Sequence, residues 1–192
     1  MTVRQRQRAG GRSEQVRLAV GRAVHDLLAE GRFPFTTVEV AERAGVNRRT
    51  LYRWWPTQDL LLAEALTHHV RLVEVPDTGS WAEDVRLFAH RVAGFAADPV
   101  DVSITRIMAS RLHPDFNAAV EEHFAPVVAG WEQMLARAVA RGDAAPVHRA
   151  DTVVSALVSP LFLAPLTRGA PAAPETVDRI VDLVLDATRP RA

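Results

Sequence analysis

One apolar stripe constrains the fold of this chain more than any other feature of its sequence. Between residues 116 and 139, apolar side chains recur every three or four residues, over more than six turns of a helix. The stripe consists of Phe116, Val120, Phe124, Val127, Val128, Trp131, Leu135, Ala138 and Val139. A helix of this length has to bury one whole face, and the alternating pattern of strands does not recur elsewhere.

Glycine, proline and capping residues divide similar stripes into about nine predicted helices. Thr36 followed by Glu39 has the spacing of a capping box, and Gly45 suits the positive φ of a tight turn. Asn47 is a favourable N-cap for the third helix. The predicted helices cover approximately residues 13–30, 36–43, 48–55, 57–71, 80–97, 99–112, 116–141, 150–167 and 175–188. The sequence therefore predicts an all-α fold.

The composition is that of a globular protein, with 48% hydrophobic and 24% charged residues. Without cysteine, no disulfide or thiolate metal site can form. We expect no membrane partner, because no apolar run approaches the roughly 18 residues of a membrane span. The arginines of the first 15 residues precede no apolar segment, so we expect no signal peptide and a cytoplasmic protein.

The zero net charge hides an uneven distribution along the chain. Residues 1–60 carry 11 arginines against 6 acidic residues, whereas residues 61–192 carry 12 arginines against 17 acidic residues. A basic first third is typical of a module that binds a polyanion. Chance segregation of solvated surface charge is the alternative.

Residues 36–55 have the order helix, glycine turn, helix, which defines a helix-turn-helix unit. At 100° per residue, Arg48, Arg49, Tyr52 and Arg53 fall on one face of the second helix, and Leu51 falls on the other. Arginine binds phosphate, or pairs with O6 and N7 of guanine in the major groove. Cationic residues are disfavoured at a helix N-terminus, so their presence there favours a DNA partner.

The segment TTVEVAERAGVNRRTLYRWWPTQDLLLAEAL, residues 36–66, resembles the DNA-binding segment of the tetracycline-repressor (TetR/AcrR-type) transcriptional regulators. The close resemblance covers about residues 13–66. It implies a three-helix helix-turn-helix DNA-binding domain over residues 13–56. The arginines before it predict a flexible basic arm over residues 1–12 that reaches DNA, and an uninvolved tail is the alternative. Residues 57–192 would form a helical ligand-binding and dimerisation domain.

The resemblance also implies contacts with DNA for individual residues. Threonines at the start of the second helix would touch phosphate, the next helix would read bases, and Trp54 occupies a phosphate-contacting position. Gln58 stands where many members carry a phosphate-binding lysine. Together with the face of the third helix, the predicted DNA-binding residues are Thr36, Thr37, Asn47, Arg48, Arg49, Thr50, Tyr52, Arg53, Trp54 and Gln58. Trp55 occupies a core position.

The last two predicted helices are apolar enough to suggest a subunit interface. The segment VVSALVSPLFLAPL is apolar around nearly its whole circumference, so it has to be buried on more than one side. A homodimer interface would achieve this, and an internal core helix is the alternative. The predicted interface residues are Val154, Leu157, Val158, Leu161, Phe162, Val177, Ile180, Val181 and Val184.

Aromatic and sulfur-containing side chains gather in the middle helices and could line an apolar ligand pocket, although plain core packing is the alternative. The candidates are Phe88, Phe95, Met108, His113, Phe124 and Trp131. The chain contains no recognisable catalytic motif, phosphate loop or metal-ligand spacing. We therefore predict no catalytic residue, no metal and no cofactor, and we expect that the protein is not an enzyme.

These features together predict a homodimeric, sequence-specific DNA-binding regulator. Its partners would be double-stranded DNA with a near-palindromic operator, a second copy of the chain, and a small, largely apolar effector that releases a repressor from DNA. One alternative is a DNA-binding regulator without a small-molecule effector. The other is a helical binding module or enzyme whose helix-turn-helix is vestigial.

Overall fold

The computed structural model describes residues 3–69, 73–146 and 148–190, and their side chains except those of residues 3–10, 12, 68 and 69. These residues form nine α-helices and no strand, which confirms the predicted all-α fold. The helices are α1 (Val3–Ala29), α2 (Thr37–Ala44), α3 (Arg48–Trp54), α4 (Gln58–His69), α5 (Trp81–Ala96), α6 (Pro99–Ser110), α7 (Pro114–Arg141), α8 (Ala150–Arg168) and α9 (Pro174–Ala187).

Local capping chemistry sets the ends of the short helices as predicted. The hydroxyl of Thr36 accepts from the backbone N–H of Glu39, and the Glu39 carboxylate accepts from the Thr36 backbone. Gly45 ends α2 with a φ of 63°, which favours glycine. Asn47 caps α3 by accepting from the backbone N–H of Arg49 at 2.9 Å. These caps position the turn between α2 and α3.

Helix α1 differs from the prediction, since it begins at Val3 and not near Ser13. The described residues 3–12 are therefore helical, where the sequence suggested a flexible arm. Arginine and glutamine make up six of these ten residues and favour helix, and the two glycines at positions 10 and 11 do not interrupt it. Residues 1 and 2 lie outside the described residues.

The chain forms two compact units, and the first contains Met1–Val70 and Ile107–His123. Within it α1 packs against α2 and α4, and α2 packs against α3. The unit buries one apolar side chain or more from each of these four helices, among them Val24, Leu27, Val40, Leu51 and Leu62. The core of this unit thus holds the helix-turn-helix.

The second compact unit contains Arg71–Arg106 and Phe124–Ala192. Helices α5, α8 and α9 pack against one another around a core that includes Phe88, Trp131 and Leu161. The indole Nε1 of Trp81 donates to the hydroxyl of Thr188 at 2.8 Å, both groups being buried. Helices α6 and α7 each contribute residues to both units. The predicted boundary at residue 56 assigned both helices to the second domain.

Helix α8 corrects the expectation that no segment is long enough to cross a membrane. Its 19 residues are apolar enough to do so by length and composition, and one third of that stretch is buried. Core helices of water-soluble proteins have the same composition, and Leu157 and Leu161 here lie in the core of the second unit. The helix continues through Pro160 and Pro165.

Candidate nucleic-acid interface

Helix α3 places its cationic residues on an exposed face. Leu51 has 0% of its surface exposed and anchors the helix, while Tyr52 is 51% exposed. Arg48, Arg49 and Arg53 are exposed as well. The two faces predicted from helical geometry are therefore present, with three guanidinium groups and one phenol available on the outer side.

The three arginines of α3 differ in their partners. Arg48 forms an ion pair with Glu42 of α2, at 2.6 Å, which compensates its unfavourable position at the helix N-terminus. Arg53 lies over the ring of Trp54, with its Cζ atom 5.9 Å from the ring centroid. Arg49 has no acidic partner among the residues that the structure describes. Its guanidinium group is the one most available to a ligand.

Thr36 and Asn47, both predicted DNA contacts, already use their side-chain oxygens as helix caps. The backbone N–H and the hydroxyl of Thr36 donate to Glu39 and hold the pKa of that carboxyl below its ordinary value. Thr37, the next predicted contact, is half-buried at the first position of α2. While this capping box is formed, the Thr36 hydroxyl oxygen can accept at most one further hydrogen bond.

Thr50 and Trp54 border a groove between α1 and the helix-turn-helix. The groove has a volume of about 630 Å³ and is also lined by Val16, Ala19 and Asn47. Both side chains are half-buried. The structure thus places Thr50 away from the most exposed part of α3, although the resemblance assigned it to base reading.

Gln58 has a partner that the sequence did not reveal. Its amide Nε2 donates to the backbone carbonyl of Phe35 at 2.5 Å, so the amide joins the start of α4 to the loop before α2. The amide has two N–H donors, and one of them is used by the Phe35 carbonyl, so Gln58 has a structural role that the sequence did not predict and its phosphate contact stays a prediction.

Trp55 is buried, as predicted for a core position, and its indole Nε1 donates to the carboxylate of Glu64 at 3.3 Å. Arg17 of α1 donates to the same carboxylate through Nε, at 3.0 and 3.1 Å. Neither Glu64 nor Arg17 was predicted from the sequence. The available signal was one acidic residue within the apolar run LLLAEAL.

The predicted ligand-pocket residues divide into three groups. Phe88 and Trp131 are buried in one core, with ring centroids 5.1 Å apart. Phe95 contacts Phe124 of α7 at 6.3 Å. Phe95 also contacts Phe162 of α8 at 6.2 Å, and these three phenylalanines are half-buried.

Met108 and His113 belong to the first compact unit, whereas the other four candidates belong to the second. The His113 ring contacts Phe33 at 4.9 Å. It lines a pocket of about 360 Å³ together with residues of the first unit, including Gln58, Asp59 and Phe116. The structure therefore does not bring all six candidates into one described pocket.

The predicted dimer interface requires a correction. Six of the nine side chains lie in the core of the chain itself and have little or no surface left for a partner: Val154, Leu157, Leu161, Val177, Val181 and Val184. Val158, Phe162 and Ile180 are half-buried. The outer apolar surface of α8 and α9 instead includes Leu163, 55% exposed, and Leu183, 70% exposed.

Comparison with known sequences places this architecture in a family. The profile of a family described as "Tetracyclin repressor-like, C-terminal domain" matches residues 75–184. The HTH-type transcriptional regulator AqdR of Rhodococcus erythropolis is 33% identical over 107 residues, which cover 55% of this chain and 52% of AqdR. YdeS of Bacillus subtilis (strain 168), named an uncharacterized HTH-type transcriptional regulator, is 36% identical over 93 residues, 47% of each chain.

The matched segments therefore span about half the length of these curated relatives. The solved structure of a TetR transcriptional regulator from Agrobacterium tumefaciens has a TM-score of 0.74 to this chain. At 21% identity over 90% of this chain and 94% of the other, it supports the fold. The chain belongs to the tetracyclin repressor-like family of transcriptional regulators. This membership confirms the predicted family and the prediction that the protein is not an enzyme.

Proposed function

We propose that this regulator binds a near-palindromic DNA operator as a homodimer and acts as a repressor. The observation that carries the proposal is the outer face of α3, where Arg48, Arg49, Tyr52 and Arg53 are exposed while Leu51 is fully buried. The second helix of a helix-turn-helix unit enters the major groove with its N-terminal residues on the base edges. Residues 13–56 would form the DNA-binding domain in this proposal.

The homodimer would form through α8 and α9, which pack against each other. Leu163 and Leu183 give this surface two large exposed apolar side chains, and Val158, Phe162 and Ile180 add partly exposed ones. Apolar side chains at the centre of an interface supply much of the association free energy. Two recognition helices could then contact successive major grooves, about 34–36 Å apart.

The effector would be a small, largely apolar molecule that carries one hydrogen-bond acceptor. Phe95, Phe124 and Phe162 come from three helices and provide a half-buried aromatic wall. The buried Nε1 of Trp131 has no acceptor among the described residues. An effector carbonyl or hydroxyl could satisfy this donor, since a buried unpaired N–H is costly. Release from DNA would require tighter binding to the conformer that has low DNA affinity.

The proposal is tested by fluorescence anisotropy with the purified chain and labelled duplexes from the region upstream of its own gene. An unrelated duplex of equal length and base composition serves as the control. We expect one upstream duplex to bind at least about 10³-fold more tightly than the control at physiological salt. Both affinities should fall as salt rises, because phosphate contacts release counterions. Equal affinity for all duplexes, or no binding, would refute sequence-specific recognition.

A further inference from the structure

A buried carboxylate lies behind the recognition helix. Glu64 of α4 is 9% exposed, and its carboxylate accepts from Arg17 of α1 and from the indole of Trp55. Burial of a carboxylate is unfavourable unless it is paired and hydrogen-bonded, and a well-packed apolar side chain would often give equal or greater stability. The position of this charge therefore calls for a role beyond filling the core.

The contacts continue from the carboxylate to the surface of α3. Trp55 caps the end of α3, and its backbone N–H donates to the carbonyl of Leu51 at 2.8 Å. The Trp55 ring lies 5.5 Å from that of Trp54, with an interplanar angle of 54°. Arg53 lies over the Trp54 ring. Direct contacts thus connect Glu64, through two tryptophans, to an exposed guanidinium group of the recognition face.

The carboxylate is held from the side of α1 as well. A Cβ atom at Gly21 would lie 3.6 Å from the backbone oxygen of Glu64, so α1 and α4 approach each other closely at this point. Arg17 precedes Gly21 by four residues and therefore lies on the same face of α1. The close approach of the two helices thus fixes the backbone of Glu64, and the bond from Arg17 links its carboxylate to α1.

We propose that Glu64 is a positioning residue for DNA recognition, which orients the end of α3 and Arg53 through Trp55 and Trp54. This inference rests on the proposed DNA-binding function. The residue touches no base or phosphate itself. When Glu64 is replaced, Arg53 keeps its charge but loses its orientation. Glu64 therefore affects the preference for the operator over unrelated DNA and not the general attraction to DNA.

The test measures binding to the operator and to unrelated DNA for Glu64→Ala, Glu64→Gln, Trp55→Phe and the double variant E64A/W55F. All measurements are made well below the lowest melting temperature in the set. The matched control is Trp81→Phe, which also removes a buried indole hydrogen bond but lies in the second unit. Trp55→Phe keeps an aromatic ring in place, so it tests the contact even if Glu64→Ala does not fold.

We expect Glu64→Ala and Trp55→Phe each to lower operator affinity at least about fivefold, and the double variant to be no weaker than the worse single variant. Glu64→Gln, which keeps an acceptor oxygen, should recover most of the operator affinity. Affinity for unrelated DNA should change less than about twofold in all variants, since the cationic groups remain. Trp81→Phe should lower only the melting temperature.

The inference is overturned if Trp55→Phe binds the operator as tightly as the wild type and only its melting temperature falls. The contacts of Glu64 with Arg17 and Trp55 would then serve stability alone. The inference is also contradicted if the loss of operator affinity in the double variant equals the product of the two single-variant losses, because the two residues would then act separately. If the wild-type chain itself has no operator preference, the proposed function fails, and this inference fails with it. The wild-type measurement alone gives that result, so it can be told apart from an inference that fails because the variants bind the operator normally.

Discussion

At the scale of single residues, the three arginines of α3 are not equivalent. Arg48 is engaged by Glu42, and Arg53 is stacked on Trp54. Arg49 is exposed and has no acidic partner within the described part of the chain. A guanidinium group without an internal partner gives up the least on forming a bidentate pair with guanine. Arg49 is therefore our candidate for direct base reading.

We predict that Arg49→Ala weakens operator binding by about 1–3 kcal/mol and relaxes the preference at one base pair. Competition binding with operators substituted at each position measures both effects. Arg149→Ala is the control, because Arg149 is exposed in the second unit and paired with Asp151. An equal loss on all DNA sequences would mean that Arg49 contacts only phosphate.

Residue roles could be predicted where they depend on neighbours in the sequence. The caps at Thr36 and Asn47, the buried Leu51 and the buried Trp55 all follow from local spacing. The roles that were missed depend on partners far along the chain. Gln58 bonds to a carbonyl 23 residues away, and Glu64 pairs with an arginine 47 residues away. Periodicity contains no information on such pairs.

At the scale of structural elements, the turn between α2 and α3 determines how the recognition helix is presented. Gly45 has a positive φ of 63°, and its N–H bonds to the carbonyls of Ala41 and Glu42. Open space surrounds the position where its Cβ would be. The requirement for glycine here is therefore one of backbone conformation and not of packing.

We predict that Gly45→Ala lowers the free energy of unfolding by about 1–2 kcal/mol, because alanine is strained at this φ. Gly94→Ala is the matched control, since Gly94 lies within α5 and its Cβ position is also open. That substitution should stabilise the chain by about 0.5–1 kcal/mol. Urea denaturation measures both changes, and a Gly45→Ala variant as stable as wild type would contradict the argument.

Whole elements were more predictable than their limits. The positions of all nine helices followed from apolar periodicity and breakers, yet α1 begins ten residues before the predicted Ser13, at Val3. Helix α8 runs through two prolines that local rules would place at an end. Its all-round apolar surface was interpreted as an interface, whereas tertiary packing buries one third of the helix inside the chain. Sequence alone does not separate these two kinds of burial.

At the scale of the whole molecule, the account depends on two copies of the chain acting on one operator. The basic first third of the sequence would face DNA, and the more acidic remainder would be kept away from it. The surface of α8 and α9 would join the copies through Leu163 and Leu183 and not through the side chains that the core already uses.

We predict that Leu183→Glu raises the dissociation constant of the homodimer by at least about tenfold. The substitution replaces an exposed apolar side chain by a charge close to those of Asp182 and Asp186. Sedimentation velocity over a range of concentrations measures the change. Leu112→Glu is the control, since Leu112 is 77% exposed and lies in the first unit. An unchanged dimer in Leu183→Glu would exclude this face of α9 from the interface.

The central claim is that two copies of α3 read successive major grooves of one operator. Hydroxyl-radical footprinting combined with guanine N7 methylation interference on that operator tests it most directly. The account predicts two protected half-sites centred about 10–10.5 base pairs apart, or a multiple of this spacing, with interference at guanines within both. A single protected site, or protection that is insensitive to N7 methylation, would contradict it.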